Sequence, residues 1–311
     1  MIYTITLNPA RDRTVVIPSF AAGKVNRIRE FRDDPGGKGI NVSKVIKSLG
    51  GRSIAMGILG GATGKYILKC LADMEIEHDF VFTRSETRTN IKVYDDVNCV
   101  TTDINEAGAP VSKATLSKVL KKILEKAEKG DFVVFAGKIP TGARSELLSE
   151  WIGILNKKGI RSVLDADSKT LLEGVKSAPF LIKPNEIELG ELVGRKLGSD
   201  EEILDAARSV IDHSGVGIAA VSMGENGAMF VTKNEALRVK GIKIHAMSTV
   251  GAGDAMTAAV TYGIDTGMAF EDVCRLAVAT SAACVMMPGT QSADRETIDR
   301  LYEKAEIEKI V

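Results

Sequence analysis

Short, continuously apolar runs alternate along this chain with longer stretches of three-to-four periodicity, and that alternation restricts the fold more than any other feature. The runs fall at 2–7, 53–59, 131–136, 161–164, 179–182 and 216–222. Most lack the apolar–polar alternation of a strand with one wet face, so they read as strands covered on both faces. Between them, segments 41–49, 64–74, 113–129, 145–158 and 199–214 carry apolar residues every third or fourth position, with charged residues opposite. The pattern predicts a three-layer α/β fold with a mainly parallel central sheet, right-handed crossovers and helices on both faces. In such sheets ligands gather at the carboxyl ends of the strands, and the glycine and polar clusters of this sequence fall there.

Two segments interrupt the alternation. Residues 13–30, with Thr14-Val-Val-Ile17, and 89–104, with Asn90-Ile-Lys-Val-Tyr94, resemble strand pairs inserted into the core. They predict a small β-lid, inserted at about 11–32 and 89–106, that covers an active site and offers a homodimer contact. Two static edge hairpins are the alternative. No internal repeat or linker divides the 311 residues, so one domain spanning 1–311 is expected.

Lys plus Arg and Asp plus Glu number 41 each, which gives no global attraction to nucleic acid or anionic membrane. The N-terminus has no apolar leader-like stretch, and no run approaches membrane-spanning length. Cys70, Cys99, Cys274 and Cys284 have no CxxC spacing and no neighbouring histidines, so they read as free thiols rather than disulfides or zinc ligands. A cytoplasmic protein is the expectation.

The strongest chemical signal is Ser248-Thr-Val-Gly251-Ala252-Gly253-Asp254, which leads into an apolar helical run. Glycines at a helix start let backbone amides converge on an anion, assisted by the helix dipole. Asp254 in the first turn could take a proton from a hydroxyl while those amides hold charge on a transferring phosphoryl group. A helix-start Asp with glycines serving a tight turn reads equally well from this segment alone.

Three further clusters stand at strand ends. In Pro35-Gly36-Gly37-Lys38-Gly39-Ile40-Asn41, glycines allow close backbone approach and Asn41 offers a donor and an acceptor to a polyol; a glycine-rich helix cap is the alternative. Lys183-Pro184-Asn185-Glu186-Ile187-Glu188 follows a buried strand. Asn185 and Glu188 could share a hydrated Mg²⁺ near phosphates, or form a capping pair. Ser222-Met-Gly224-Glu-Asn-Gly227 could pass nucleotide phosphates or ribose across backbone amides. Gly60-Gly61-Ala-Thr-Gly64-Lys65 misses the Walker A spacing and no GxGxxG occurs, which argues against a P-loop enzyme and a nicotinamide-dependent dehydrogenase.

Together and in this order, these pieces resemble the PfkB (ribokinase-like) family of carbohydrate kinases over essentially the whole chain. Gly36-Gly37-Lys38-Gly39-Ile-Asn41 is similar to the family's N-terminal signature and Gly251-Ala252-Gly253-Asp254 to its C-terminal one. The resemblance implies a ribokinase-like fold with a β-lid, ATP with Mg²⁺ as phosphoryl donor, Gly251, Ala252 and Gly253 as an anion hole, and Asp254 as the base. It implies nucleotide contacts from Lys183, Asn185, Glu188, Ser222, Gly224 and Gly227, with Glu188 and, through water, Asn185 organising the metal.

Thr6-Leu-Asn8-Pro9-Ala10-x-Asp12, Asn26-Arg27 and Glu86-Thr-Arg88 resemble the branch that acts on already phosphorylated hexoses, such as 1-phosphofructokinase and tagatose-6-phosphate kinase. There Asp12 would hold sugar hydroxyls. Lys24, Arg27, Lys38 and Arg88, the last above all, are the cations for the existing phosphate. The implied acceptor is fructose 1-phosphate, with tagatose 6-phosphate, fructose 6-phosphate or an unphosphorylated sugar as alternatives within enzymes. A non-catalytic sugar-phosphate sensor is the alternative outside them. Arg11 and Arg13 beside Asp12, Lys138 after Gly137, and Asp165-Ala-Asp167 depart from the family pattern. They raise the hypothesis of an acceptor with a different or additional anionic group.

Overall fold

The structure is a computed structural model that describes residues 1–310. In chain order it comprises β1 (Ile2–Thr6), β2 (Ala10–Val16), β3 (Glu30–Gly36), α1 (Lys38–Ser48), β4 (Ser53–Gly60), α2 (Gly61–Asp73), β5 (Glu77–Thr83), β6 (Arg88–Asp95) and β7 (Val100–Asn105). There follow α3 (Lys113–Lys126), β8 (Phe132–Ala136), α4 (Leu147–Lys157), β9 (Arg161–Asp165), α5 (Ser168–Gly174), β10 (Leu181–Ile182), α6 (Glu186–Val193) and α7 (Asp200–Ser214). The chain ends with β11 (Ile218–Ser222), β12 (Gly227–Thr232), β13 (Ala236–Lys240), α8 (Ala252–Asp265), α9 (Phe270–Val285), α10 (Arg295–Tyr302) and β14 (Ile307–Ile310).

Ten strands form the central sheet in the order β14-β13-β12-β11-β10-β9-β8-β1-β4-β5, parallel from β11 through β5 and antiparallel from β11 to β14. Its central strands are apolar throughout because successive side chains enter different cores. In β8, Val133 and Phe135 join one cluster with residues of α3, α4 and α7. Phe132, Val134 and Ala136 join the other with residues of α1, α8 and α9. Some helices start where the sequence offers acceptors: Ser112 accepts from Thr115 N at α3, and Ser199 from Glu202 N at α7. Buried Leu116, Val119 and Ile123 then recur at helical spacing along α3.

The inserted segments form a separate four-stranded sheet in the order β3-β2-β6-β7. Two antiparallel pairs are joined by parallel pairing of β2 with β6, which sets Asp12 beside Asn90 and Ala10 beside Arg88. This is the expected lid, extended outward to Ala10 and Gly36. Two differences from the sequence reading have simple causes. The run at 179–182 yields only the two-residue β10. Edge strand β5, Glu-His-Asp-Phe-Val-Phe-Thr, is largely solvent-accessible and so lacks the apolar run by which central strands are read. Among the described residues, no helix is long and apolar enough to cross a membrane.

Candidate active site

The start of α8 sits at the carboxyl edge of the sheet. Gly251 caps the helix with φ of 89°, a left-handed conformation natural to glycine, and no side chain caps the turn. Ala252, Gly253 and Asp254 are the first three helical residues, whose amides have no acceptor within the helix. A Cβ placed on Gly251 would find its nearest neighbour, Thr290 Cα, 3.9 Å away, so this turn is not crowded. The Asp254 side chain is buried (5% exposed), and its Oδ2 accepts from Asn41 Nδ2 of α1 at 2.8 Å. Burial pushes the Asp254 carboxyl up to about 6, against the pull of Lys38 and with added repulsion from Asp165.

Asp165, at the end of β9, organises the neighbouring charge. It is 1% exposed; its Oδ1 accepts from Lys38 Nζ at 3.0 Å and lies 3.5 Å from Lys183 Nζ, while Oδ2 accepts from Thr257 Oγ1 at 3.0 Å. Burial opposes its ionisation, but Lys183 and Lys38 outweigh that cost and hold the carboxyl below its ordinary range. Lys38 is correspondingly raised, by Asp165 first and with smaller pulls from Asp254 and Glu188. The Lys183 ammonium runs beside the start of α8, 3.2 Å from where a Cβ on Gly253 would lie. Two ammonium groups therefore flank the open turn and the buried carboxyl.

Toward the small sheet, Asp12 is buried and accepts from Asn90 Nδ2 at 2.9 Å. Gly36 is required beneath it, since a Cβ there would lie 2.2 Å from Asp12 Oδ2. Arg88 donates through Nη1 to Glu106 O (2.8 Å) and Asn90 Oδ1 (3.2 Å), and through Nη2 to Asn8 O (3.1 Å). Its Nε is buried with no hydrogen-bond partner among the described residues, as is Asn41 Oδ1. Arg88 also lines a cavity of about 180 Å³ with Asn8, Gly60, Ser85, Thr87 and Gly108.

On the opposite flank, Asn185 and Glu188 form a reciprocal capping box at α6: Glu188 N donates to Asn185 Oδ1 at 2.8 Å, and Asn185 N to Glu188 Oε2 at 2.9 Å. Ser222 N donates to Pro184 O at 2.9 Å, which brings the 183–188 and 222–227 clusters together. Gly224 has φ of 54° and no atom within 4 Å of a Cβ position, whereas a Cβ on Gly227 would collide with Val239 O at 2.2 Å. Gly224 faces open space; Gly227 serves the β12–β13 packing.

Comparison with known proteins decides the family. The model of the pfkB family of carbohydrate kinases matches residues 3–298. The chain belongs to that family. It is 36% identical to a 1-phosphofructokinase of Borreliella burgdorferi over 92% of each chain. It is 30% identical to the ATP-dependent 6-phosphofructokinase isozyme 2 of Escherichia coli over 97% of each. A crystal structure of phosphofructokinase-2 from Escherichia coli in complex with substrates and products superimposes with a TM-score of 0.93 at 30% identity, covering 97% of this chain and 98% of that one.

In this carbohydrate kinase the structure gathers Asp254, Gly251, Ala252, Gly253, Asn41, Lys38 and Lys183 around one point, with Asp12, Gly36 and Arg88 toward the small sheet. Lys24 and Arg27 instead stand exposed on the β2–β3 loop, and Lys138 is exposed after β8. Arg11 and Arg13 do not enlarge the pocket around Asp12. Arg13 makes a bidentate pair with Asp33 at 2.7 Å, and Arg11 Nε lies 3.6 Å from the same carboxylate. Successive residues of a strand face opposite ways, so both point away from Asp12. Glu86, part of the branch resemblance, accepts from Ala62 N and Thr63 N and so caps α2. Asp165 was visible in the sequence only as a departure from pattern. The usable signal was its place at the carboxyl end of a buried strand, the argument that singled out Lys183. Asp167, two residues on, caps α5 through Thr170 N.

Proposed function

We propose that this kinase transfers the γ-phosphoryl group of ATP to a hydroxyl of a phosphorylated hexose, with fructose 1-phosphate as acceptor and fructose 1,6-bisphosphate as product. The observation that carries the reading is the buried Asp254 carboxyl at the uncapped start of α8, held by Asn41 and flanked by Lys38 and Lys183. Asp254 accepts the proton of the attacking hydroxyl as its oxygen bonds to the γ-phosphorus. The bond from that phosphorus to the bridging oxygen breaks, and ADP departs. The amides of Gly251, Ala252 and Gly253, with Lys38 and Lys183, hold the charge of the transferring group. Its pairing with Asp165 beside Asp254 favours a role for Lys38 at the transferring phosphoryl rather than at the acceptor's own phosphate.

Asp12 and Asn41 bind sugar hydroxyls. Arg88, whose Nε is buried without a partner among the described residues, meets the existing phosphate, with Lys24, Arg27 and Lys138 as exposed cations nearer the surface. Ser222, Gly224 and Asn185 line the nucleotide side, with Gly227 shaping the turn that presents Gly224. Mg²⁺, when bound, neutralises phosphate charge. Glu188 would hold it, with Asn185 acting through water, and the donor set fits because a hydrated Mg²⁺ on phosphates needs only one or two carboxylates.

The chain acts as one kinase unit in which the small sheet excludes water from the transfer. Ile28, Phe31, Val100 and Ile104, exposed on that sheet and its loop, support a homodimer through the lid. Free cysteines suit a reducing cytoplasm. Relatives named 6-phosphofructokinase at 30–32% identity favour fructose 6-phosphate as the second reading.

The test is ADP release with Mg-ATP and fructose 1-phosphate, fructose 6-phosphate, tagatose 6-phosphate or free fructose. Fructose 1-phosphate is expected to exceed each rival by about tenfold or more in kcat/KM. In Arg88→Ala the sugar-phosphate KM should rise about 10- to 100-fold with ATP binding unchanged, the loss of charge-assisted hydrogen bonds. Equal turnover of free fructose would contradict the proposal.

A further inference from the structure

Lys44 lies one turn beyond Asn41 on α1 and shares its face. Its side chain is buried, yet its Nζ finds only long contacts: Pro35 O at 3.3 Å and Thr290 Oγ1 at 3.5 Å. Burial opposes its charge, and Asp34, Asp12 and Asp254 support it. Those three carboxylates belong to β3, β2 and α8, so this ammonium stands where the small sheet, α1 and the α8 turn meet. An ammonium is retained in such a place only if its surroundings compensate it.

Thr290 belongs to the segment 286–294 between α9 and α10. It is buried, and its Cα is the nearest atom, at 3.9 Å, to a Cβ position on Gly251. The small sheet grips the same segment from the other side. Arg32 of β3 donates through Nη2 to Pro288 O at 3.1 Å and through Nε to Asp34 Oδ2 at 2.9 Å. Gly289, with φ of 66°, lies against the Arg32 guanidinium, whose Nη2 would stand 2.5 Å from a Cβ there and would have to shift to admit one. The Arg32–Pro288 hydrogen bond thus ties β3 to the segment 286–294, Thr290 of that segment stands beside the open face of the Gly251 turn, and Lys44 links Pro35 and Thr290 to α1.

We propose that Arg32, Lys44 and Thr290 form a positioning set that couples the seating of the lid to the geometry of the Gly251–Asp254 turn. The set touches neither the proposed acceptor nor the nucleotide. It acts by holding the segment 286–294 against the turn when β3 is in place, so that the amides and Asp254 are aligned only under a seated lid. The catalytic consequence rests on the reading of Asp254 as base; the mechanical coupling does not.

The experiment therefore has two arms, both on the full chain. In the first, amide hydrogen exchange of peptides covering 248–256 and 286–294 is compared between wild type and Arg32→Met. Arg32 is partly exposed on the lid, so its loss leaves the core intact. Faster exchange in both peptides is expected; a change confined to residues 30–36 overturns the coupling. In the second, kcat and both KM values are measured for Arg32→Met, Lys44→Met and the double variant. Each single change should lower kcat by up to about 100-fold, as misplacement of a reacting group does, with the KM for ATP within about twofold. The double variant should be no slower than the worse single one, and Lys44→Arg should regain most of the rate. Multiplicative losses, or a loss in Lys44→Arg as large as in Lys44→Met, overturn the proposal. Altered exchange with normal kcat in Asp254→Asn would instead retain the coupling and retire the base.

Discussion

Two helices of this kinase begin with glycine signatures, and the glycines do different work. At α1, a Cβ on Gly37 would lie 2.6 Å from Thr6 Cγ2, and one on Gly39 would lie 2.5 Å from Thr6 Oγ1 and 2.8 Å from Ile5 O. Gly36 is closed off by Asp12. Those residues are glycine because the helix start is pressed onto the end of β1 and the base of the lid. At α8, Gly251 has its nearest neighbour at 3.9 Å, and Gly253 faces the end of a lysine side chain. Its glycines keep amides accessible at an uncapped helix start. The sequence reading assigned close ligand approach to both. The difference is that one turn is closed by packing and the other is open, as the proposed chemistry at Asp254 requires, although both helices bring a polar side chain, Asn41 and Asp254, to the same hydrogen bond.

Substitutions should separate the two turns. The largest effect is expected in Asp254→Asn, with kcat lower by about 10²- to 10⁴-fold and ATP affinity and Tm close to wild type. Near-normal turnover would remove Asp254 from the role of base. Next, Gly251→Ala should cost about 10²- to 10³-fold in kcat through displaced amides, with only about 1–2 kcal/mol lost from stability because of the left-handed backbone. Gly39→Ala should show the reverse pattern. Its backbone neighbour at Ile5 O cannot move aside, so about 1–3 kcal/mol of stability is lost on denaturant unfolding, while the surviving folded protein keeps its kcat. Equal profiles for the two variants would erase the distinction.

The central architecture was legible because buried parallel strands announce themselves as unbroken apolar runs. Ile2–Thr6 and Phe132–Ala136 were found on that basis, and β5 was not, since an edge strand needs no such run. The lid was legible from where the alternation failed. Residues at strand ends and helix starts were found where glycine or motif context marked them. Asp165 carries no such mark, because its importance comes from Lys38 and Lys183 converging on it from distant parts of the chain. Arg11 and Arg13 were misread for a related reason: adjacency in a strand to Asp12 means opposite faces, and Asp33 was the partner that sequence spacing concealed.

The most direct test is the pH dependence of kcat/KM for the sugar phosphate in wild type and Lys38→Met. The base must be ionised, and burial places its carboxyl at about 6, so activity should fall as pH drops through that value. Lys38 favours the ionised form, so its removal should move the acid limb to higher pH. That paired result would tie the rate to the buried Asp254 carboxyl. A rate independent of pH between about 5 and 8, or an acid limb that stays in place without Lys38, would contradict it.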